Sequence, residues 1–548
     1  MTMTKTKKLA AALLAGIVSV GTLTALTPAP MAQAETATVI EVAVGYEHAA
    51  ALFSNGDLYS WGKAAYVGDG TAKDRYKPVK VASGVKSVSA GHGQTAYLKN
   101  DGSVWIFGSW LASDTYKQYP KKVATGVAKL VAGYDAIFIL KTNGDLYSSG
   151  YNSSSSGTLG LGMTEGGYVK EFKKVGSGFT DVFYSGGYVL DHTAFALKGT
   201  TLYGWGANDY GQVGDGTAIT RYAPVKVMDD VVAFEHGAWY GNAAITSDGS
   251  VYTWGGVSAF TTGSLQGQGK GAAIIESPVK VIDGPTAGPI VDVSISTSLA
   301  SYLKADGTVL YSGSGCFVGA AGGVCDLPEA WVPTPLTLAD GSLLAGVASV
   351  SAADQSSFFL KADGTLLAIG KNLYGELGLG GTMDLEIPTV IETGVQKVWA
   401  SHWFENATFI LKSDGLYSSG GAAYNGLNTN VKAVNFAKLT FKSNALFNPP
   451  EGKLKSLKVS TGKLSPKFSA SKYSYKLKIP AKKASVKLTF AKNDTKAKVA
   501  ASTGGAYKNV KSLTVKLAKG KTKTVKLRVT GSGGYVNTYT IKITRAKK

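Results

Sequence analysis

The sequence offers several sets of side chains whose types and spacing bear on chemistry, and the first is the histidines. They are His48, His92, His192, His236 and His402. Each stands near a short turn between two apolar segments. A ring of histidines binds a metal ion or transfers protons only if the side chains converge. Because the same position recurs in separate repeats, we predict a structural role instead, such as a hydrogen bond to a loop carbonyl, with the repeats holding the histidines apart.

The two cysteines, Cys316 and Cys325, lie in the glycine-rich segment 313–326. A loop disulfide, a metal site and a catalytic thiol are all open readings. Two thiolates alone make a poor zinc site, because structural zinc takes four ligands. In an exported chain a pair so close in sequence favours a disulfide that fixes one surface loop, and we predict that pairing.

Acidic residues recur beside glycine, at Asp101, Asp248, Asp306, Asp363 and Asp414. Catalytic carboxylates and calcium ligands are possible uses, but turn geometry alone favours Asp-Gly. The sequence has no glycine-rich phosphate loop, no His-Glu-x-x-His and no Gly-x-Ser-x-Gly. We therefore predict no catalytic residue, no metal site and no cofactor.

Aromatic residues are frequent in the segments that read as loops. Exposed aromatic side chains favour contacts with proteins or carbohydrates, whereas the alternative is packing between repeats. The candidate ligand-binding residues are Trp110, Tyr116, Trp239, Tyr240, Trp331 and Trp403.

A repeat must position these side chains, because a turn followed by a short aromatic strand recurs. Its turn glycines are Gly56, Gly102, Gly144, Gly199, Gly249, Gly307, Gly364 and Gly415, with a mean spacing of about 51 residues. The unit around Gly102 reads as strands 86–90, 95–99 and 103–107, with a fourth from Pro120. Pro78, Pro224, Pro278 and Pro388 mark the start of an outer strand in other units. The pattern predicts an all-β fold with four-stranded blades.

Two segments carry a family resemblance, namely Trp205–Thr217 and Gly370–Gly380. Both resemble the W-G-x-N-x-x-G-Q-L-G-x-G core of regulator of chromosome condensation repeats, and weaker copies extend over 39–440. The resemblance implies a β-propeller, usually of seven blades. Since eight turns are present, we predict seven or eight blades over residues 35–447.

The N-terminus resembles a secretory signal peptide. Lys5, Lys7 and Lys8 precede an apolar run that ends in Ala32-Gln33-Ala34. A membrane anchor is the alternative, but glycine, serine and threonine dilute the run. We predict a signal peptide over 1–34, and a mature bacterial chain without a membrane span that is secreted, extracellular or associated with the cell wall.

Charge separates the C-terminal segment from the rest. Residues 451–548 hold 26 Lys or Arg against two acidic residues, a net charge of +24, whereas residues 35–450 carry −7. The segment 448–452 reads as a linker. Residues 453–548 resemble the cadherin-like β-sandwich of bacterial surface proteins. Strands such as 486–490 and 525–529 alternate apolar and basic residues, so we expect one face in a core and a charged face in solvent.

Three functions of different classes are open. The preferred one is a secreted or cell-surface, non-catalytic binding protein, whose propeller loop face recognises a protein or glycan and whose basic domain associates with anionic cell-wall polymers. The second is a secreted inhibitor resembling β-lactamase-inhibitory protein II, and the third is a propeller lyase or hydrolase. We predict the first, as a monomer.

Overall fold

The computed structural model describes residues 37–71, 73–109, 117–184, 192–237, 241–256, 267, 274–296, 299–313, 330–353, 355–400, 407–421, 425–427, 432–441, 452–531 and 536–548. The predicted signal peptide 1–34, both cysteines and residues 448–451 of the predicted linker lie outside these ranges. The chain divides into two compact units, which are described separately.

The N-terminal unit is a β-propeller in which the described residues form eight four-stranded antiparallel sheets, each built from consecutive strands. Blades 1 to 4 contain β1 (Val39–Val44), β2 (His48–Phe53), β3 (Leu58–Gly62), β4 (Arg75–Ala82), β5 (Val85–Ala90), β6 (Gln94–Lys99), β7 (Val104–Gly108), β8 (Lys117–Ala124), β9 (Val127–Ala132), β10 (Ala136–Lys141), β11 (Leu146–Asn152), β12 (Gly167–Gly176), β13 (Asp181–Phe183), β14 (Thr193–Lys198), β15 (Thr201–Gly206) and β16 (Arg221–Met228).

Blades 5 to 8 continue the same order. They contain β17 (Val231–His236), β18 (Asn242–Thr246), β19 (Val251–Gly256), β20 (Ile274–Ile282), β21 (Ile290–Ile295), β22 (Leu299–Lys304), β23 (Val309–Gly313), β24 (Ala330–Pro335), β25 (Val347–Ala352), β26 (Ser356–Lys361), β27 (Leu366–Gly370), β28 (Leu385–Glu392), β29 (Val395–Ala400), β30 (Ala407–Lys412), β31 (Gly415–Gly420) and β32 (Ala433–Lys438). The all-β propeller expected from the repeat is confirmed, and the blade count is eight.

The turn between the second and third strands repeats in every blade. All eight predicted turn glycines have positive φ, from +62° at Gly199 to +149° at Gly415. Asp101 accepts a hydrogen bond from the backbone N–H of Ser103 at 2.9 Å, and Asp363 accepts one from Thr365 at 2.8 Å. These carboxylates close the turn, which is why aspartate precedes glycine here.

Neighbouring blades contact each other mainly through their first and second strands, as between β5 and β9 or β6 and β9, which places the first strand on the inner side of the ring. The second and third strands are almost wholly buried, as in β2 and β3, while fourth strands such as β12 and β16 are half-buried or exposed along their length. Burial is therefore greatest in the two middle strands of a blade and lower in its first and fourth strands.

The outer-strand prolines lie inside the fourth strands. In blade 1, Ser60 pairs with Val79 while Gly62 pairs with Arg75, so β4 bulges at Pro78. Proline stands at the same irregularity in blades 4, 5 and 7, at Pro224, Pro278 and Pro388. The expectation that proline begins the strand was wrong. A bulge on an edge strand suits proline equally, since neither position requires a ladder hydrogen bond from its nitrogen.

Side chains pack blade against blade around the ring. Phe138 of blade 3 contacts Trp205 of blade 4, with ring centroids 5.8 Å apart. Blade 8 packs against blade 1 in the same way, through Phe409 and Trp61 at 5.7 Å. Burial of apolar surface between the last and first blades therefore helps to close the circle.

Helix is scarce in the part of the chain that the structure describes. Two four-residue helices occur there, α1 (Ala64–Val67) and α2 (Gly284–Ala287). Neither they nor any other described segment forms a helix long and apolar enough to cross a membrane.

The C-terminal unit is a β-sandwich. Its strands are β33 (Leu454–Val459), β34 (Lys463–Ser465), β35 (Ser474–Ile479), β36 (Ser485–Lys492), β37 (Lys498–Ser502), β38 (Lys508–Asn509), β39 (Ser512–Lys516), β40 (Thr522–Thr530) and β41 (Val536–Arg545). A three-stranded sheet has the order β33-β36-β39, and a six-stranded sheet has the order β34-β35-β41-β40-β37-β38. Buried residues such as Leu488, Val525 and Ile541 form one core between them.

Candidate binding surfaces

A buried asparagine organises the long loop between the third and fourth strands of a blade. In blade 4, the Asn208 Oδ1 accepts a hydrogen bond from the N–H of Val213 at 2.8 Å, and its Nδ2 donates to the carbonyl of Thr217 at 2.8 Å. Asn152 and Asn372 bond loop carbonyls in blades 3 and 7. The asparagine of the repeat therefore fixes the loop backbone.

A glycine of the same loop lies against the tryptophan of the next blade. Trp205 is fully buried, and its Nε1–H donates to the carbonyl of Thr158 at 2.9 Å. A Cβ added at Gly160 would lie 2.6 Å from that Nε1. Gly214 and Trp254 repeat the arrangement one blade later, at 2.4 Å. These glycine–tryptophan contacts explain why both residue types recur in the motif, and the role is structural.

Four rings form a continuous arc on the turns between the first and second strands of blades 1 to 4. This aromatic arc consists of Tyr46, His92, Tyr134 and His192. Tyr46 stacks on His92 with centroids 4.6 Å apart, His92 meets Tyr134 at 4.7 Å, and Tyr134 meets His192 edge-on at 6.2 Å. All four side chains are half-buried. The polar groups that these four rings hold are the tyrosine hydroxyls and the imidazole nitrogens, which can both donate and accept hydrogen bonds.

An acidic residue supports one end of the arc. The Tyr184 hydroxyl donates to Asp135 Oδ1 at 2.5 Å, and Asp135 Oδ2 lies 3.2 Å from His192 Nδ1. Only 8% of the Asp135 side chain is exposed. Asp135 therefore lies close to His192, and the hydrogen bond from Tyr184 holds the carboxylate in place.

Two histidines make side-chain contacts that fit the structural role expected of them. His48 Nε2 lies 2.7 Å from Thr95 Oγ1, and His236 Nδ1 lies 2.7 Å from Asn242 Oδ1. Burial lowers the pKa of His48 to about 3, which keeps it neutral. The Tyr134 ring lies between His92 and His192, so these two histidines belong to one arc without converging on one point. His402 lies outside the described residues.

Two first strands carry carboxyl groups with raised pKa values. Burial raises the pKa of Glu41 on β1 to about 7, although a backbone hydrogen bond from Val88 opposes the shift. Burial, assisted by the nearby charge of Asp292, raises the pKa of Glu235 on β17 to about 8. Both groups are therefore wholly or partly protonated near neutral pH. Among the described residues, no three His, Cys, Asp or Glu side chains form a group that could hold a metal ion.

Of the six candidate aromatic residues, the structure describes Trp331 alone. It stands in the outer strand β24, half-buried, and not on the loop where sequence reasoning placed it. Trp110, Tyr116, Trp239, Tyr240 and Trp403 lie outside the described residues, so their role stays a prediction. The pairing of Cys316 with Cys325 also stays a prediction.

Lysines project from both faces of the sandwich. On β35 the residues alternate between exposed and buried, so Lys476 and Lys478 face solvent while Tyr475, Leu477 and Ile479 enter the core. Strands β36 and β40 alternate in the same way, as expected. Asp494 is the one acidic residue in 453–548. The lysines therefore form the solvent-exposed surface of a folded sandwich.

The two arginines of this unit are engaged within it. Arg545 donates from Nε to the carbonyl of Ala481 at 3.0 Å and from Nη1 to that of Leu517 at 2.8 Å. The Arg528 guanidinium lies 3.7 Å from the centroid of the Tyr507 ring. Lysine consequently supplies most of the charge that is available to a partner.

Family models match both units. The model described as Regulator of chromosome condensation (RCC1) repeat matches residues 39–66 and 201–240, and the model described as Cadherin-like beta sandwich domain matches residues 454–546. The matched parts of the propeller are therefore similar to RCC1 repeats, and the C-terminal unit is similar to the cadherin-like sandwich. Both resemblances inferred from the sequence are thereby confirmed.

Curated relatives share part of the RCC1-type propeller. The Arabidopsis thaliana protein named Ultraviolet-B receptor UVR8 is 29% identical over 248 residues, which is 42% of this chain and 56% of the relative. The Homo sapiens E3 ubiquitin-protein ligase HERC2 is 30% identical over 231 residues, which is 40% of this chain and 4% of the ligase. The chain thus spans a little over half of one relative and a small fraction of the other.

Solved structures show weaker likenesses. Human WBSCR16 has a TM-score of 0.48 and 18% identity, and the match covers 65% of this chain and 98% of that one. Prp20p from Saccharomyces cerevisiae, described together with its binding to Gsp1p and histones, has a TM-score of 0.43 and 19% identity over 70% of this chain and 82% of that one.

Proposed function

We propose that this chain is an exported, non-catalytic binding protein of the bacterial cell surface. Its cadherin-like domain associates with anionic polymers of the cell wall. Its RCC1-type propeller presents to a protein or glycan the face that bears the turns between first and second strands and the loops between third and fourth strands, here called the turn face. Export rests on the predicted signal peptide 1–34. A binding role for the propeller accords with the name of one relative, which is a receptor.

The observation that carries the proposal is the uncompensated charge of the sandwich. Its exposed strand positions are dominated by lysine, and the domain has a single aspartate, which accepts a hydrogen bond from the N–H of Lys496 in a turn. A small domain with a charge near +24 attracts polyanions and speeds their encounter. Lysine is a compact point charge, which suits sequence-independent attraction better than bidentate recognition.

Binding of the full chain to purified cell walls should fall steeply with salt. Each lysine that neutralises a phosphate releases a counterion, so affinity decreases by orders of magnitude between low and moderate salt when several contacts form. The measurement is the retained fraction on walls between about 0.05 and 0.5 M sodium chloride.

The control uses walls from which the anionic polymers have been stripped. Retention should disappear on these walls at every salt concentration. Retention that does not change with salt, or that survives stripping, would contradict the electrostatic association.

A partner of the propeller should depend on the turn face. Replacing Trp110, Trp239 and Trp403 with alanine should weaken capture of a glycan or protein partner about tenfold or more, because buried tryptophans at interfaces contribute at least 1–2 kcal/mol each. The matched control is Trp331→Ala, whose side chain stands on the outer strand β24. Equal losses in the two variants, or unfolding of the triple variant alone, would remove the support for a binding face.

A further inference from the structure

Two pairs of lysines are directly opposed on the six-stranded sheet of the sandwich. Lys463 on β34 is the cross-strand partner of Lys478 on β35. On the other side of β35, Lys476 is the partner of Lys542 on β41. All four side chains are exposed, and they share the outward face because Leu477, Ile541 and Ile543 between them are buried. We call Lys463, Lys476, Lys478 and Lys542 the lysine cluster.

The spacing within the cluster is short. Neighbouring strands lie about 4.8 Å apart, and residues two apart on one strand are separated by roughly 6.6 Å. Like charges that face each other across a ladder are destabilising. Within residues 453–548 the one acidic residue, Asp494, lies in the turn after β36 and not on these strands, so the sandwich itself places no carboxylate among the four lysines. The fold therefore tolerates a repulsive arrangement at this place.

The three-stranded sheet avoids the same arrangement. There, Lys458 faces Thr489 and Lys487 faces Thr514. Lys516 faces Ser485. Each of these lysines is thus opposite a hydroxyl residue. Lysines opposite hydroxyl residues would keep the domain soluble just as well. Solubility therefore does not explain why lysines face each other on the six-stranded sheet.

Hydroxyl groups flank the lysine cluster on the same sheet. Ser465 is the partner of Lys476 across β34, and Thr524 is the partner of Lys542 across β40. Hydroxyls donate hydrogen bonds to phosphate oxygens, and ammonium groups supply the charge. Two rows of residues cross four neighbouring strands in succession. One row is Ser465, Lys476, Lys542, Thr524, and the other is Lys463, Lys478, Thr544, Thr522.

We propose that the lysine cluster, with its flanking hydroxyl residues, is a localised site for a linear polymer that carries closely spaced phosphate groups. The proposal deepens the proposed function, on which it rests, by naming the face of the sandwich and the chemistry of the occupant. Successive phosphates of one chain lie across the strands, each between two ammonium groups. The occupant relieves the repulsion between opposed lysines, which a single monovalent counterion cannot do for both pairs at once.

The test compares two variants of the full chain with equal loss of charge. The first replaces Lys463, Lys476, Lys478 and Lys542 with glutamine. The matched control replaces four exposed lysines of the other sheet, Lys455, Lys458, Lys487 and Lys516, with glutamine. The probe is fluorescently labelled linear polyphosphate, and its Kd is measured by anisotropy at several salt concentrations.

The cluster variant should bind at least about tenfold more weakly at 0.1 M salt and lose most of the salt dependence, since each lost phosphate contact lowers the slope by about 0.7. The control variant should lose less than about threefold. A third variant with arginine at the four cluster positions keeps the charge and should restore binding. Purified wall phosphate polymer, used as competitor, shows whether that source occupies the same site.

Each outcome bears on a separate claim. If the two glutamine variants bind polyphosphate equally weakly, the lysine cluster is not a localised site. Binding is then a diffuse electrostatic attraction, and the proposed function stands. A wild-type chain that binds neither polyphosphate nor walls overturns both. Because the cluster is repulsive, the cluster variant should also unfold at an equal or higher temperature than the wild type in low salt without polymer, and a marked drop would contradict the inferred repulsion.

Discussion

Replacing Glu235 with glutamine should stabilise the propeller at pH 8.5 and leave it nearly unchanged at pH 4. Burial and the charge of Asp292 raise the pKa of Glu235 from 4.5 to about 8. In the unfolded chain the side chain returns to its ordinary pKa. Between these two values the folded state binds more protons than the unfolded state, so the contribution of Glu235 to stability falls as pH rises. Glutamine removes that dependence because it does not titrate.

The expected gain at pH 8.5 is on the order of a few kcal/mol, since each pKa unit corresponds to about 1.4 kcal/mol and part of the side chain keeps contact with water. All nine tryptophans precede residue 450, so tryptophan fluorescence during urea unfolding reports the propeller and not the sandwich. The matched control is Glu171→Gln on the exposed outer strand β12, which should show no trend.

The prediction would be contradicted if the difference in unfolding free energy between Glu235→Gln and wild type did not change from pH 4 to pH 8.5. A second variant, Asp292→Asn, sharpens the interpretation. Removing the neighbouring charge should lower the pKa of Glu235 in the folded state, so the decline in stability of this variant should end at a lower pH and be smaller in total, while its onset near the ordinary pKa stays unchanged.

Most of the propeller fold could be predicted from the repeat of turn glycines. Positive φ at Gly56, Gly102 and the other turn positions follows from the hairpin geometry, and the count of turns equals the number of blades. Strand ends differ from the predicted ones by only a few residues, as in β6, which begins at Gln94 and not at Thr95. Period and turn chemistry are local properties, and a single sequence contains them.

Contacts between blades are not local, and the aromatic arc shows the consequence. Gly45-Tyr46, Gly91-His92 and Gly133-Tyr134 stand at the same place in three repeats, which is a signal that sequence reasoning did not use. Because tyrosine and histidine alternate at this position, neither residue type alone reveals the repeat. Their contact depends on the curvature of the ring, which places equivalent turns side by side.

The lysine cluster could not be predicted from the sequence for a related reason. Alternation within β35 predicts exposed lysines, but the neighbours of Lys476 and Lys478 come from strands that are distant in sequence, one of them parallel. A shift of one residue in either register would separate the opposed charges. Composition therefore predicted a basic surface, whereas the register decides where its charges meet.

A methyl group added at Gly160 should destabilise the propeller far more than one added two residues later at Gly162. Both glycines have positive φ, +66° and +73°, so alanine is strained by a similar amount at either position. The surroundings differ. A Cβ at Gly160 would lie 2.6 Å from the Nε1 of buried Trp205, whereas a Cβ at Gly162 meets nothing within 4 Å.

The difference measures the glycine–tryptophan contact between blades 3 and 4. Gly160→Ala must displace Trp205 or the loop that accepts its hydrogen bond at Thr158, and overpacking of this kind costs about 1–3 kcal/mol beyond the backbone strain. Gly162→Ala should show the backbone strain alone. The measurement is urea unfolding of the full chain followed by tryptophan fluorescence, with the midpoints and slopes of both variants compared with wild type. Identical midpoints for the two variants would show that Trp205 accommodates the methyl group, and the contact would then not explain the recurrence of glycine at this position of the repeat.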